Sequence, residues 1–296
     1  MEVRSNNRNE RYFPVPALPS SVINPLWDQF KTLLPAVNDH HPLGCHRPRV
    51  ADRIIFDKLV TRLVLGGAYT KHADDRVSAT TLRTRRDEWI AHDVFFRLEQ
   101  IVLDAFDQVI GLDLTHLSVD GCCVKAPCGG DNTGPNPTDR GKSGQKRSVL
   151  VEGHGLPIGV VLAGANRHDS PLLRPTLECL SRFGFFLPEA IRIDLDSGYD
   201  SHVTRDLLSE FGCGWKISPK GTFIEINHTR RWKIERTNSW HTRGFRLLQV
   251  VLDRVDRVQS AWASMANAII VLKRLLQKSW TQHRWATRPV KRYDWR

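Results

Sequence analysis

The chain has 296 residues, of which 41% are hydrophobic and 25% are charged, so it is long enough for one large domain or two modest domains with a sizeable core. This composition excludes wholesale disorder. The balance of 43 Lys and Arg against 32 Asp and Glu gives a formal net charge of +11. Such an excess indicates an acidic partner, either nucleic acid or an anionic surface.

The positive charge is concentrated in the last quarter of the chain. Residues 229–296 contain 16 Lys and Arg against 4 Asp and Glu, together with 6 of the 9 Trp residues. The remainder of the chain carries a formal charge of only −1. The C-terminal region is therefore the first place to look for contacts with an anionic partner.

Several function classes are excluded by what the sequence lacks. No run of about 18 apolar residues is present, and residues 1–10 are polar, so neither a membrane span nor a signal peptide is predicted. The 6 cysteines form no CxxC pair, which favours reduced thiols in a cytosolic protein over a zinc site. No GxxxxGK[ST] motif and no Gly-rich turn after a first strand are found, so no nucleotide cofactor is predicted.

The first third of the chain is predicted to be helical. A polar, Pro-rich tail covers residues 1–19. Apolar residues then recur at helical spacing, Asn24 is placed to cap the first helix ahead of Pro25, and Gly66-Gly67 ends the second. The predicted helices cover residues 24–34, 50–65, 78–90 and 94–111. Residues 20–111 are therefore predicted to form a small all-helical domain with a possible DNA-binding role.

The pattern then changes from a helical to a strand period. The predicted strands cover residues 116–125, 148–152, 158–165, 191–196 and 214–218. Helices are predicted over 170–182 and 202–211, and from 229 to about 283. This order favours a ribonuclease H-like α/β domain, with a mixed five-stranded sheet, over a doubly wound fold. That domain is assigned to residues 112–283, and residues 284–296 form a basic tail.

Three carboxylates stand out by their placement. Asp120 lies in the first strand, Asp196 lies at the end of a later strand, and Glu235 lies in the basic C-terminal helix. A carboxylate in an apolar strand costs free energy unless it is paired or binds a metal, and Mg²⁺ prefers such oxygen ligands. Asp194 and Asp200 are rivals for the role of Asp196. Taken one at a time, each acid is also explained by a turn or an ion pair.

The sequence motifs that contain these acids resemble those of a known family. LSVDG at 117–121, the stretch at 138–173 that contains ANRHDSPLL, DLDSGYDS at 194–201 and RRWKIERTNSW at 230–240 are similar to bacterial insertion-sequence DDE transposases of the insertion-sequence-five family. The resemblance implies cutting and joining of double-stranded DNA at terminal inverted repeats. It implies Asp120, Asp196 and Glu235 as the catalytic and metal-binding residues, and two Mg²⁺ ions, with Mn²⁺ as the alternative. It also implies a homodimer on DNA, in the bacterial cytoplasm at the nucleoid.

Basic residues near these motifs are the predicted DNA contacts. On the C-terminal helix, Arg231 shares the Glu235 face, and Arg246 follows one turn on, close to Arg243. The segment that joins the first two strands is read as a phosphate-contacting loop. The contacts predicted outside the C-terminal helix are Arg140, Lys142, Lys146 and Arg147 on this segment, and Arg83 and Arg86 on a candidate DNA-reading helix. A solvated basic surface is the alternative interpretation of each of these groups.

Two further polar residues, His168 and Asn238, are predicted to support the carboxylates without binding the ion, although a turn or capping role explains His168 equally well. Together these features predict a DNA transposase with endonuclease and strand-transfer activity. Two alternatives stay open. One is a ribonuclease H-like nuclease without strand transfer, and the other is a catalytically silent DNA-binding protein derived from a transposase.

Overall fold

The computed structural model describes residues 17–36, 49–218 and 231–282. Most of the predicted 1–19 tail and the whole predicted 284–296 tail lie outside these ranges. Within them, no helix combines the length and the apolar character needed to cross a bilayer.

The N-terminal region is helical, as predicted. Its helices are α1 (Ser20–Phe30), α2 (Asp52–Leu65), α3 (Ala79–Ala91) and α4 (Val94–Val109). Gly66 ends α2 with a φ of +71°, and the Ser78 hydroxyl caps α3 by accepting from the Thr81 N–H at 3.0 Å. The prediction that Asn24 caps the first helix is wrong, because α1 starts at Ser20. The Asn24 amide oxygen instead accepts from Arg53 of α2 at 2.8 Å.

The central sheet has five long strands and one of two residues. The strands are β1 (His116–Lys125), β2 (Gly134–Pro135), β3 (Ser143–Val151), β4 (Pro157–Gly164), β5 (Ile191–Leu195) and β6 (Cys213–Ile217). Strand β3 lies antiparallel between β1 and β4, while β1, β5 and β6 run parallel to one another. This order, β4-β3-β1-β5-β6, is that of a ribonuclease H-like sheet. The short β2 pairs with only the first two residues of β3.

Along the chain, helices come after strands β4, β5 and β6. The remaining α-helices of the described residues are α5 (Ser170–Glu178), α6 (His202–Glu210), α7 (Trp232–Gly244), α8 (Arg246–Gln249) and α9 (Asp256–Gln282). A 3-10 helix (Cys179–Phe186) continues α5. The C-terminal region is helical, as predicted, and the structure divides it into α7, α8 and α9. Phe245 has extended backbone and residues 250–255 are not helical, since the chain there pairs its Val251 N–H with the Lys125 carbonyl at 2.8 Å. Helix α9 packs against α4. Both helices contribute to the large hydrophobic core, which also includes Leu117, Leu150 and Ile193 of the sheet.

A buried polar chain links three of these helices. The His241 imidazole of α7 hydrogen-bonds the Asn267 amide oxygen of α9 at 2.7 Å, and the Asn267 amide nitrogen donates to Glu99 of α4 at 2.9 Å. Arg182 also donates to Glu99, at 3.2 Å. Burial, together with the nearby Arg147 charge, lowers the pKa of His241 to about 3. His241 is therefore neutral in the folded protein.

Acidification is expected to destabilise the fold through His241. The unfolded chain binds a proton at this residue below its ordinary pKa of about 6.5, whereas the folded chain does not until about pH 3. The contribution of neutral His241 to the free energy of unfolding is thus fully present above about pH 6.5, and it is lost as the pH falls toward 3. Between pH 6.5 and 5 this amounts to roughly 2 kcal/mol. Chemical unfolding at both pH values checks it: His241→Gln should remove most of that difference, and an unchanged difference would contradict it.

Candidate catalytic site

The register of the sheet brings Asp120 and Asp196 to neighbouring positions. Strands β1 and β5 are parallel, and their last pair is Ser118 with Asp194. Two residues further along each chain, Asp120 lies opposite the position of Asp196, just beyond the end of β5. Adjacent strands are about 4.8 Å apart, so the two carboxylates share one edge of the sheet.

Helix α7 contacts this edge through Arg231 and Asn238. The Arg231 guanidinium, at the start of α7, pairs with the Asp196 carboxylate at 3.0 Å. The Asn238 amide donates to the Asp120 carboxylate at 3.2 Å. Glu235 is four residues after Arg231 and three before Asn238, so it lies on the same helix face, between these two contacts. It is exposed to solvent there.

The structure separates Asp196 from its two rivals. Asp194 is only 5% exposed and pairs in the sheet between Ser118 and Lys216. Asp200 forms an ion pair with Arg205 of α6. Asp196 follows the strand, keeps 41% of its side chain exposed and accepts from the Ser197 N–H at 2.6 Å. Asp196 is therefore the open carboxylate of the three.

Asp120 lies in an environment that disfavours its charge. Burial, together with the negative charges of Asp169 and Asp196, raises the pKa of this carboxyl to about 6. The Gly121 N–H and the Arg231 charge oppose the shift. Any additional positive charge placed beside Asp120 would therefore stabilise its ionised form.

The sequence reasoning did not single out Asp169, a fourth carboxylate beside Asp120. Asp169 precedes α5 and pairs with Lys146 of β3 at 3.0 Å. A Cβ at position 121 would overlap the Asp169 carboxylate, so the glycine that follows Asp120 makes room for it. Tyr199 is buried near these acids, and its burial and the negative charges of Asp169 and Asp120 raise its pKa. In the sequence, Gly121 could have indicated that another group packs closely against Asp120, but nothing in the sequence identifies that group as Asp169.

The side chains of Asp120, Asp196 and Glu235 do not form a closed ligand cluster. Among residues 17–36, 49–218 and 231–282, no three His, Cys, Asp or Glu side chains are gathered closely enough to hold a metal ion. Asp120 and Asp196 are instead balanced by the guanidinium of Arg231. The Asn238 amide oxygen is buried and has no hydrogen-bond partner, so the site retains one unused oxygen next to Asp120.

Three of the predicted DNA contacts are wrong, because the structure buries them. Arg86 donates to Tyr69 and Asp87 inside the helical region. Lys146 and Arg147 belong to β3 rather than to a loop, and are 8% and 1% exposed. Lys146 pairs with Asp169, and Arg147 donates to the Leu248 carbonyl. These side chains hold distant parts of the chain together and are closed to DNA.

The other predicted contacts are accessible. Arg83, Arg140, Lys142, Arg243 and Arg246 are exposed, and Arg231 is partly exposed in its pair with Asp196. Arg246 does not share a helix with Glu235, because α7 ends at Gly244. DNA binding by these residues stays a prediction. His168, which was predicted to support the carboxylates, is exposed in the segment before α5.

Comparison with known proteins gives two kinds of similarity. A family model described as a transposase DDE domain matches residues 111–227. A transposase for insertion sequence element IS402 from Burkholderia cepacia is 30% identical over 147 residues, which cover 48% of this chain and 69% of the relative. The matched range contains the sheet, Asp120 and Asp196.

Among solved structures, the catalytic domain of Mos1 mariner transposase is 10% identical, with a TM-score of 0.26, over 62% of this chain and 91% of that domain. The Mos1 paired-end complex with the left transposon end is 13% identical, with a TM-score of 0.26, over 90% and 89% of the two chains. These superpositions are too loose to transfer geometry. The sequence similarity is sufficient: the chain belongs to the bacterial insertion-sequence DDE transposases, which are enzymes that act on DNA by phosphoryl transfer.

Proposed function

We propose that this protein cuts double-stranded DNA at the terminal inverted repeats of an insertion sequence and joins the freed ends to target DNA, with Asp120, Asp196 and Glu235 as the catalytic carboxylates. One observation carries the proposal. The contacts of Arg231 with Asp196 and of Asn238 with Asp120 hold the Glu235 face of α7 against two aspartates at matched positions of parallel strands.

The donor set suits a hard divalent cation. Three carboxylates and the free amide oxygen of Asn238 are all oxygen ligands, which Mg²⁺ prefers and Mn²⁺ also accepts. Two such ions, when bound, stabilise the attacking and leaving oxygens of an in-line displacement at phosphorus. Asp120 and Asp196 would hold them from the sheet, and Glu235 from α7.

The residues of the chain have separate tasks in this proposal. Asn238 fixes one oxygen of Asp120, so the other is left to bind. Arg231 balances Asp196 and Asp120 before DNA arrives, and its guanidinium fork matches the charge that builds up on a transferring phosphoryl group. Lys146 offsets the negative charge of Asp169 behind the site.

The finer assignments belong to the same proposal. We place the protein in the insertion-sequence-five family, acting as a homodimer on DNA in the bacterial cytoplasm, at the nucleoid. Cleavage and joining are both displacements at phosphorus, so a single set of carboxylates suffices for the two steps.

A strand-transfer assay tests the proposal. The protein is incubated with Mg²⁺, a DNA fragment that ends in the inverted repeats flanking its reading frame, and a supercoiled target plasmid. We expect 3′ ends cut at the repeat and joined to the plasmid. Cut ends without joined product would indicate the nuclease alternative, and intact DNA that is nevertheless bound would indicate the silent DNA-binding protein.

A further inference from the structure

A groove rich in positive charge lies on a different flank of α7 from Glu235. It is lined by Trp232, Lys233 and Arg236 of α7, by Arg274 and Lys278 of α9, and by the β3–β4 turn at 153–156, and it encloses about 240 Å³. We call it the basic groove. None of these residues is a sequence-predicted DNA contact.

The four cations of the basic groove repel one another. Burial lowers the pKa of Arg236, and the charge of Arg274 lowers it further. Burial also lowers the pKa of Lys278, which Arg274 and Arg236 lower further while Glu152 opposes them. In the described part of the chain, none of the four cations forms an ion pair with a carboxylate. A concave surface with unbalanced like charges is suited to binding an anion.

Glu152 does not neutralise the groove. It is 1% exposed, and its oxygens accept from the backbone N–H groups of Asp113, His154 and Leu156 at 2.7–3.0 Å. This carboxylate is therefore committed to holding the β3–β4 turn. Its single negative charge leaves an excess of positive charge in front of it.

The cations are held in place before any ligand arrives. Lys233 donates to the Gly153 carbonyl, and Arg236 donates to the His154 carbonyl at 2.6 Å. The Arg236 guanidinium lies 4.7 Å from the Trp232 ring and 4.5 Å from the Trp240 ring, and Arg274 lies 4.2 Å from the Trp240 ring. The buried Arg236 Nε has no hydrogen-bond partner. Such preorganisation lowers the entropic cost of binding.

We infer that the basic groove binds phosphodiester groups of the DNA backbone across α7 from the catalytic carboxylates. The inference rests on the proposed function, since DNA is the polyanion that this site acts on. At about 100° per residue, Arg236 lies about 100° and Lys233 about 160° around α7 from Glu235, so the groove and the carboxylates occupy different flanks of this helix. Because an α-helix is only about 10–12 Å in diameter, a DNA duplex that lies across the exposed surface of α7 can contact both flanks. Exposed Trp232 widens the contact surface.

The test removes the two groove cations of α9 from the full-length protein. Affinity for a 30-base-pair duplex of arbitrary sequence is measured by fluorescence anisotropy over a range of NaCl concentrations. Arg274→Gln with Lys278→Gln should weaken binding at least about tenfold and reduce the slope of log affinity against log salt by about 2. Lys278→Arg, which keeps the charge, should bind as the wild type does.

A matched control separates location from net charge. Arg97→Gln with Arg192→Gln removes two exposed cations outside the groove, and it should leave affinity and slope within about twofold of the wild type. If the double groove variant does not fold by circular dichroism, Lys278→Gln alone should reduce the slope by about 1.

Two results would overturn the inference. One is unchanged affinity and slope in the groove variant. The other is loss of binding to poly-glutamate with DNA binding intact, which would assign the groove to an acidic protein. Failure of the proposed function is a separate result, because it is measured as absence of cut and joined DNA and not as a salt slope.

Discussion

Asp120→Asn is expected to abolish DNA cleavage, with a loss of at least about 10³-fold in rate, while the fold and DNA binding persist. The substitution removes a charged ligand from the site and keeps the shape of the side chain. Because Asp169 and Asp196 already raise the pKa of Asp120, removing its charge relieves repulsion rather than creating it. A neutral amide at position 120 should therefore not lower stability.

The measurement is single-turnover cleavage of a labelled DNA fragment that carries the element end, in Mg²⁺, alongside anisotropy binding without metal. Asp200→Asn is the matched control, since it makes the same chemical change in a residue that pairs with Arg205. The control should cleave within a few-fold of the wild type. Asp120→Asn protein that cleaves at the wild-type rate would show that the catalytic assignment is wrong.

The strand order was predictable from the sequence because most of the strands contain a short run rich in Val, Ile or Leu. The β1 range of 116–125 was predicted to the residue, and the succession of strands and helices favoured the ribonuclease H-like order. The register of β1 against β5 was not predictable, although it decides between Asp194 and Asp196. Register depends on pairing between segments about 75 residues apart, which local pattern does not encode.

The basic residues were harder to interpret than the acids. Lys146 and Arg147 follow two glycines and other bases, and such a stretch is typical of a solvated loop. In the fold these two residues lie in β3, and their partners are Asp169 and the Leu248 carbonyl. A buried cation is acceptable only with such a partner, and the partner comes from a distant segment that the sequence does not identify.

The same reason explains the error at Arg86. It was predicted to face DNA, yet it lies in a buried cluster with Tyr69 and Asp253. Asp253 comes from the non-helical segment between α8 and α9, and the sequence does not show where the predicted C-terminal helices are interrupted. The cluster could therefore not be assembled from the sequence.

Asp253 is expected to be the most costly of these ion-pairing residues to remove. Its carboxylate accepts from Arg62 at 2.9 Å and from the Trp262 ring nitrogen at 2.9 Å, and lies 3.4 Å from Arg86. Arg62 is 1% exposed and stacks 3.8 Å from the Tyr69 ring. Burial and the Asp253 charge raise the pKa of Tyr69 to about 12, so its hydroxyl stays neutral. Asp253 is thus the main negative charge of a cluster that joins α2 and α3 to α9.

Asp253→Ala should lower the free energy of unfolding by about 3–5 kcal/mol, because it leaves buried Arg62 without a counter-charge. Urea unfolding followed by circular dichroism measures it. Asp28→Ala is the control: it breaks an exposed pair with Lys31 and should cost no more than about 1 kcal/mol. Adding Arg62→Met to Asp253→Ala should recover part of the loss, since the unpaired cation is then gone. Equal stability of the Asp253 and Asp28 variants would show that α2 and α3 are held to α9 by apolar packing alone.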